Sequence, residues 1–166
     1  MASVPTRASS SKAKIVIALV VIIDQVTKHW MLSELSNNRV VNLFWTLRFN
    51  LVFNSGMAFS QGQGAGRIIG LFAIGIIIWL WRSLAKATSS GSLIGTALLI
   101  GGALGNVVDR VFRGDAWLGG AVVDFIDLQW FPVFNIADSS VTIGAAILIF
   151  SSLKKARSIK SAGAQS

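Results

Sequence analysis

Six aspartates, one glutamate, one histidine and no cysteine limit the chemistry this chain can do. Without cysteine there are no disulfides, thiol nucleophiles, thiolate metal sites or palmitoylation. A histidine-rich metal centre cannot be built from His29 alone, and the sequence has no HExxH. A Ser–Lys pair through Lys28 is conceivable, but no serine is marked out as its partner. Paired carboxylates remain. Two acids held close together cannot both ionise comfortably, so they share a proton. The ionised one can activate water, and the protonated one can polarise a scissile carbonyl and then help protonate the leaving amine. This scheme requires neither metal nor cofactor. The residues alone leave open which two of Asp24, Asp109, Asp115, Asp124, Asp127 and Asp138 form the pair.

Three of these acids, Asp24, Asp109 and Asp138, have polar neighbours at helical spacing. Asp24 and Lys28 are i and i+4 and share a helix face. Their bland reading is an ion pair, with Lys28 snorkelling to the interface. Asn106, Asp109 and Arg110 also share a face. Here Asp109–Arg110 reads as a structural pair, and a substrate contact for Arg110 is an equal alternative. Gly101, Gly102 and Gly105 form a small-residue face suited to close helix packing. Asn135 and Asp138 are i and i+3 where an apolar run begins, so Asp138 could simply cap a helix. Asp124 lies in AVVDFIDLQWF, an unusually apolar setting for a solvated carboxylate, with Asp127 as a nearby decoy. Asn54 alone reads as a turn residue.

The elements that would carry these residues are membrane spans. The 166-residue chain is 53% hydrophobic and 13% charged, with mean hydropathy +0.66. Soluble domains carry about 25% charged residues. Apolar stretches of near the roughly 20 residues a spanning helix needs predict transmembrane helices at 14–32, 67–84, 93–111 and 135–153. Residues 1–13 and 154–166 are expected to be cytoplasmic tails, the first flexible. The basic start followed by an apolar run resembles a secretory signal, but KHWMLSEL offers no small-residue cleavage site, so the run is expected to stay as a span.

The net charge of +8 does not indicate nucleic acid, because the basic residues flank the apolar runs. They read as topology signals and contacts to anionic membrane lipids. Arg7, Lys12, Lys14, Arg82, Lys86, Lys154, Lys155, Arg157 and Lys160 place both termini in the cytoplasm. Trp79 and Trp81 then suit the inner interface, and Trp30, Trp130 and Phe131 the outer one. Three helices thereby bring polar groups to a similar depth. Intramembrane ionisable groups are costly, so they usually face a partner or a wet cavity.

The outer segments differ. Across 36–66, odd positions from Leu43 to Phe53 are apolar and several even ones are polar, a period of two that predicts β structure ending at Asn54. Gln61–Gly66 is glycine-rich and reads as mobile. Residues 112–134 read as an outer loop. The fold class is an all-α membrane protein of four transmembrane helices with a small extracytoplasmic β-cradle, forming one domain.

Five motifs in order then carry a resemblance: DQVTK (Asp24–Lys28), NSGMAF (Asn54–Phe59), GGALGNVVDR (Gly101–Arg110), VVDF (Val122–Phe125) and FNIAD (Phe134–Asp138). Together they resemble lipoprotein signal peptidase, the bacterial type II signal peptidase. The resemblance implies an aspartic endopeptidase of the cytoplasmic (inner) membrane, with its active site near the outer face. Such enzymes remove signal peptides from diacylglyceryl-modified prolipoproteins, cutting on the amino side of the lipid-modified cysteine. It implies Asp124 and Asp138 as the catalytic dyad. Asn54, Gly56, Asn106, Asp109, Arg110, Asn135 and Ala137 would line or brace the substrate site, and Asp24 and Lys28 would support it. Globomycin-type peptides would block it. Asp127 is outside the family pattern. The stretch Phe112–Ala121 is longer than the family's usual connection, by approximately GDAWLGG. The rival reading, an ion-coupled transporter or channel, predicts internal repeats and a midplane site, and the sequence displays neither clearly.

Overall fold

The computed structural model describes residues 7–56, 65–87 and 89–163. Among them the elements run α1 (Arg7–Glu34), β1 (Val41–Phe44), β2 (Leu47–Asn54), α2 (Ala65–Leu84), α3 (Ser90–Phe112), β3 (Val122–Asp127) and α4 (Ile136–Gly163). Each helix contains a stretch long and apolar enough to cross a membrane: Ser11–Glu34, Gly66–Leu84, Ser90–Phe112 and Ile136–Ser158. The fold is the expected one, four membrane-length helices with a small antiparallel sheet ordered β1-β2-β3.

The side chains are distributed the opposite way from a water-soluble protein. Ile15, Ile22, Ile68, Phe72, Trp79 and Phe150 point outward, whereas Asp24, Lys28, Asp109, Asp124 and Asn135 are buried. Lipid solvates the apolar exterior, so the polar groups must satisfy one another inside. Helix α3 sits at the centre and packs on α1, α2 and α4. Its small residues allow that approach. A Cβ at Gly101 would lie 2.8 Å from Val20 Cβ, and one at Gly105 would lie 2.6 Å from Asp24 Oδ2. At Gly102 it would collide with the Ala137 carbonyl. The glycine face is therefore a packing face, as its spacing suggested. Helix α3 starts in a reciprocal cap, where Ser89 Oγ accepts from Ser92 N and Ser92 Oγ accepts from Ser89 N. Such a cap contributes about 1 kcal/mol.

Helix ends depart from the expected boundaries. Helix α1 already begins at Arg7, inside the segment read as a flexible tail, and α4 runs on to Gly163. The apolar run stops at both places, but RASSSKAK and SSLKKARSIKS contain no proline or glycine to stop the helix.

The period-two segment is a hairpin rather than one extended run. It breaks at Trp45–Thr46, where Trp45 adopts φ 50°. Val41 pairs with Phe49 and Phe44 with Leu47. The third strand, β3, lies inside the segment read as an outer loop. It has no alternation because almost every residue in it is buried, polar ones included. Strand β2 pairs antiparallel with β3, Arg48 opposite Asp127 and Val52 opposite Asp124. A second apolar cluster of Met31, Leu35 and Phe125, with Phe49 edge-on to Phe125 at 6.1 Å, fixes the sheet to the helix ends. Burying Phe125 there contributes about 2 kcal/mol. The end of α1, the start of α2, the end of α3 and the start of α4 all lead into or out of this sheet region. The sheet therefore caps one end of the bundle. Of the glycine-rich stretch read as mobile, Gln61–Gly64 lies outside the described residues, as do Met57–Phe59 of the NSGMAF motif; Gly66 belongs to α2.

Candidate active site

Two of the six aspartates meet at one wall of a cleft. Asp124 projects from β3, and Asp138 lies in the first turn of α4. Asn135 joins them. Its side-chain amide donates to Asp124 Oδ1 at 2.7 Å, and its main-chain N–H donates to Asp138 Oδ2 at 3.2 Å. Asp138 N donates back to Asn135 Oδ1 at 2.9 Å, completing the cap of α4. Asp138 is thus both a capping group, as its position suggested, and a neighbour of Asp124. Asn54, at the end of β2, donates to Asp124 Oδ2 at 3.1 Å. Asn106 donates to Asp138 Oδ1 at 2.8 Å.

Burial, and then the nearby charge of Asp138, push the Asp124 carboxyl up to about 6, against the downward pull of the Asn54 and Asn135 amides. A carboxyl titrating there can exchange a proton near neutral pH, as general acid–base chemistry requires.

Beneath the pair lies a buried ionic cluster. Lys28 is fully buried, 2.8 Å from Asp24 Oδ2 and 2.9 Å from Asp109 Oδ2. Its third contact is Asn106 Oδ1 at 3.0 Å. Lys28 therefore does not snorkel; three acceptors match its three N–H donors and hold it inside. Asp109 is paired with Lys28 and with Arg113 Nε at 2.7 Å, not with Arg110. The expected Asp109–Arg110 pair fails because consecutive residues point about 100° apart on a helix, whereas Arg113, one turn on, shares the face of Asp109. Asp109 Oδ2 also accepts from Val123 N at 3.1 Å, which ties α3 to β3 beside Asp124. Asp24 Oδ1 accepts from Ala137 N at 2.9 Å, which ties α1 to α4 beside Asp138. Two cations and two carboxylates balance in charge. Among the described residues, no buried side-chain nitrogen or oxygen lacks a hydrogen-bond partner.

The space around the pair has two parts. A cleft of about 680 Å³ is lined by Asn54, Asp124, Asp138 and the apolar side chains of Trp130, Phe131 and Ile143, among others. That size suits a peptide segment or a similar ligand. A smaller cavity of about 220 Å³ is lined by Asn54, Asn106, Arg110 and Asp138, with Ile69 and Val122 among its walls. Arg110 Nη1 donates to Gly120 O at 3.4 Å. Gly56 adopts φ 84°, and its N–H donates to Asn54 Oδ1 at 2.9 Å. A Cβ there would be 2.7 Å from Ile69, so both the backbone angle and the space call for glycine.

The residues that the resemblance assigns to the site converge on this end of the bundle, in one network or around the two cavities. Asp127 stands apart. Burial pushes its carboxyl up, but Arg48 Nε at 2.7 Å, Gln129 N and Asn50 hold it below the usual range overall. Reading the sequence missed Gln25, which donates to Asp24, Gly105 O and Asp109. It also missed Arg113, although the i, i+4 spacing from Asp109 was available as a signal. The cleft wall Trp130–Phe134 carries no periodic signal.

This geometry has close relatives. A family model described as signal peptidase (SPase) II matches residues 16–154, which include every residue of the network. The lipoprotein signal peptidase of Mycobacterium leprae (strain Br4923) is 40% identical over 137 residues, covering 82% of this chain and 68% of that protein. That of Mycolicibacterium smegmatis (strain ATCC 700084 / mc(2)155) is 42% identical over 142 residues, covering 83% of this chain and 59% of its own length. Two solved structures of bacterial membrane enzymes superpose with TM-score 0.78 at 31% and 32% identity, covering 94% and 93% of this chain and 94% and 98% of theirs. The match spans all four helices, the sheet and the aspartate pair, and the chain belongs to the signal peptidase II family of multi-pass membrane peptidases.

Proposed function

We propose that the chain is an aspartic endopeptidase that removes signal peptides from diacylglyceryl-modified prolipoproteins, with Asp124 and Asp138 as its catalytic pair. The observation that carries this reading is the single asparagine, Asn135, that bonds both carboxylates at one cleft wall. One carboxylate, ionised, takes a proton from water as it attacks the scissile carbonyl. The other, protonated, donates to the carbonyl oxygen, giving a tetrahedral diol. Collapse of the diol passes a proton to the leaving nitrogen, so the products are a new carboxyl terminus on the signal peptide and a free amine on the lipid-bearing cysteine.

Asn54 and Arg110 bind polar groups of the substrate, and Gly56 and Ala137 brace the site through their N–H groups on Asn54 and Asp24. Asn106 orients Asp138, and Asp24, Lys28 and Asp109 brace the bundle beneath. Both termini lie in the cytoplasm, so the sheet and the pair sit at the outer face of the bacterial inner membrane. The exposed Phe44, Trp45, Trp130 and Phe131 suit an interface there. A lipid-anchored substrate then keeps its acyl chains in the bilayer while its cleavage point enters the cleft. Globomycin-type peptides compete for the same space. The transporter reading is not favoured: the polar groups gather at one end of the bundle, and the family match is to peptidases.

The test is cleavage of a diacylglyceryl-modified precursor by the purified protein in detergent, with the non-lipidated precursor as comparison. Cleavage of the lipidated form before its cysteine supports the reading. Equal cleavage of both forms, or of neither, overturns the assigned substrate.

A further inference from the structure

The connection between α3 and β3 reaches back to Arg110. Gly120 binds this residue twice. Gly120 N donates to Arg110 O at 3.0 Å, and Gly120 O accepts from Arg110 Nη1 at 3.4 Å. The loop closes on itself through Arg113 N to Asp109 O at 2.9 Å and Gly119 N to Ala116 O at 2.8 Å. At its tip, Trp117 is 65% exposed while the adjacent Leu118 is fully buried.

Leu118 reaches that buried position with φ 56°, a conformation that costs a non-glycine residue about 1 kcal/mol. The surroundings must therefore hold it there. A Cβ at Gly70 of α2 would lie 3.0 Å from Leu118 Cδ2 and 3.5 Å from Arg110 Cδ. One at Gly66 would lie 3.0 Å from Arg110 Nη1 and 3.8 Å from Leu118 O. Leu118 and the Arg110 stem thus fill the same groove over two glycines of α2. The guanidinium emerges from that groove beside the 220 Å³ cavity shared with Asn54 and Asp138.

We infer that Leu118 and Gly120 are positioning residues that fix the Arg110 guanidinium for substrate binding. The loop does this by wedging the aliphatic stem with Leu118 and tethering the head with the Gly120 carbonyl. A long, flexible side chain loses several rotamers on binding a substrate. Holding it in place beforehand lowers that cost, so the effect should fall on KM.

The inference rests on Arg110 as a substrate contact. The experiment therefore compares Leu118→Ala, Leu118→Met, Arg110→Lys and Leu118→Ala/Arg110→Lys on the lipidated precursor, with a thermal melt of each. Leu118→Gly, which relieves the φ 56° strain, replaces the alanine variant if the latter does not fold. The expected result is KM raised about tenfold by Leu118→Ala with kcat within about twofold, restored by methionine, and little further change from Leu118→Ala once Arg110 is lysine. If Arg110→Lys leaves KM unchanged, the reading of Arg110 itself fails, and this inference with it. If Arg110→Lys raises KM but Leu118→Ala does not, or multiplies KM equally on both backgrounds, Arg110 stands as a contact and the positioning role is overturned. A fall in melting temperature with KM unchanged also overturns it, leaving Leu118 as packing alone.

Discussion

Asn135 and Asp138 hold each other across the first turn of α4, side chain to main chain in both directions, at 2.9 and 3.2 Å. The same asparagine reaches Asp124 at 2.7 Å. One residue thus starts the helix, aims one carboxylate and bonds the other. Removing its amide should affect the reaction more than the fold. Asn135→Ala is expected to lower kcat about 100-fold through the lost charged hydrogen bonds. Asn135→Ser keeps a capping oxygen and should recover melting temperature without recovering kcat. Equal recovery of both would contradict the bridging role.

The Lys28 cluster is a commitment of charge to the interior. Asp24 and Asp109 are both at 0% side-chain exposure beside Lys28. Lys28→Met leaves two buried carboxylates with one cation fewer, which destabilises by about 3–5 kcal/mol. A melting temperature lowered by roughly 10 °C in detergent is the expected reading. Lys28→Met/Asp24→Asn should regain part of it, since one stranded charge is removed. A double variant no better than the single one would contradict the account.

The pH dependence follows from Asp124, whose carboxyl is pushed from 3.8 to about 6 chiefly by burial. Asn54 pulls the other way, so Asn54→Ala should move the inflection near pH 6 in the kcat/KM profile upward. The linkage has a definite sign. Between about pH 4 and pH 6 the folded chain keeps a proton that the unfolded chain has lost, so this group's stabilisation is present at the acid end and fades as pH rises to 6. The difference in melting temperature between wild type and Asp124→Asn should change over that window and flatten above it. An inflection unmoved by Asn54→Ala would mean that another group governs the profile.

Much of this was legible in the sequence, and the parts that were not share a cause. The four spans are continuous apolar runs, which lipid requires of any helix crossing it. Asp24–Lys28, Asn106–Asp109 and Asn135–Asp138 show helical spacing, so their shared faces could be read directly. Position 52, opposite Asp124, lies in the segment whose alternation revealed β2. Strand β3 could not be read this way, because a strand buried on both faces has no alternation. Lys28 misled because an isolated lysine near a helix end normally reaches for water. Only the tertiary approach of Asp109 and Asn106 adds the second and third acceptors to the local one, Asp24. The meeting of Asp124 with Asp138 was implied by resemblance alone, since their contact through Asn135 depends on how β3 lies against the start of α4. The wedge of Leu118 also depends on tertiary contact, as nothing in GDAWLGG marks a leucine that will be buried at positive φ.

The most direct test of the central claim is the rate of cleavage of the lipidated precursor by Asp124→Asn, Asp138→Asn and Asp127→Asn, each confirmed as folded by its melt. Asp127 is the matched control, a buried carboxylate held by Arg48 outside the cleft. The account predicts a loss of at least about 10³-fold for Asp124→Asn and for Asp138→Asn, with Asp127→Asn within about threefold of wild type. Substantial cleavage by either of the first two variants, with its fold intact, would contradict it.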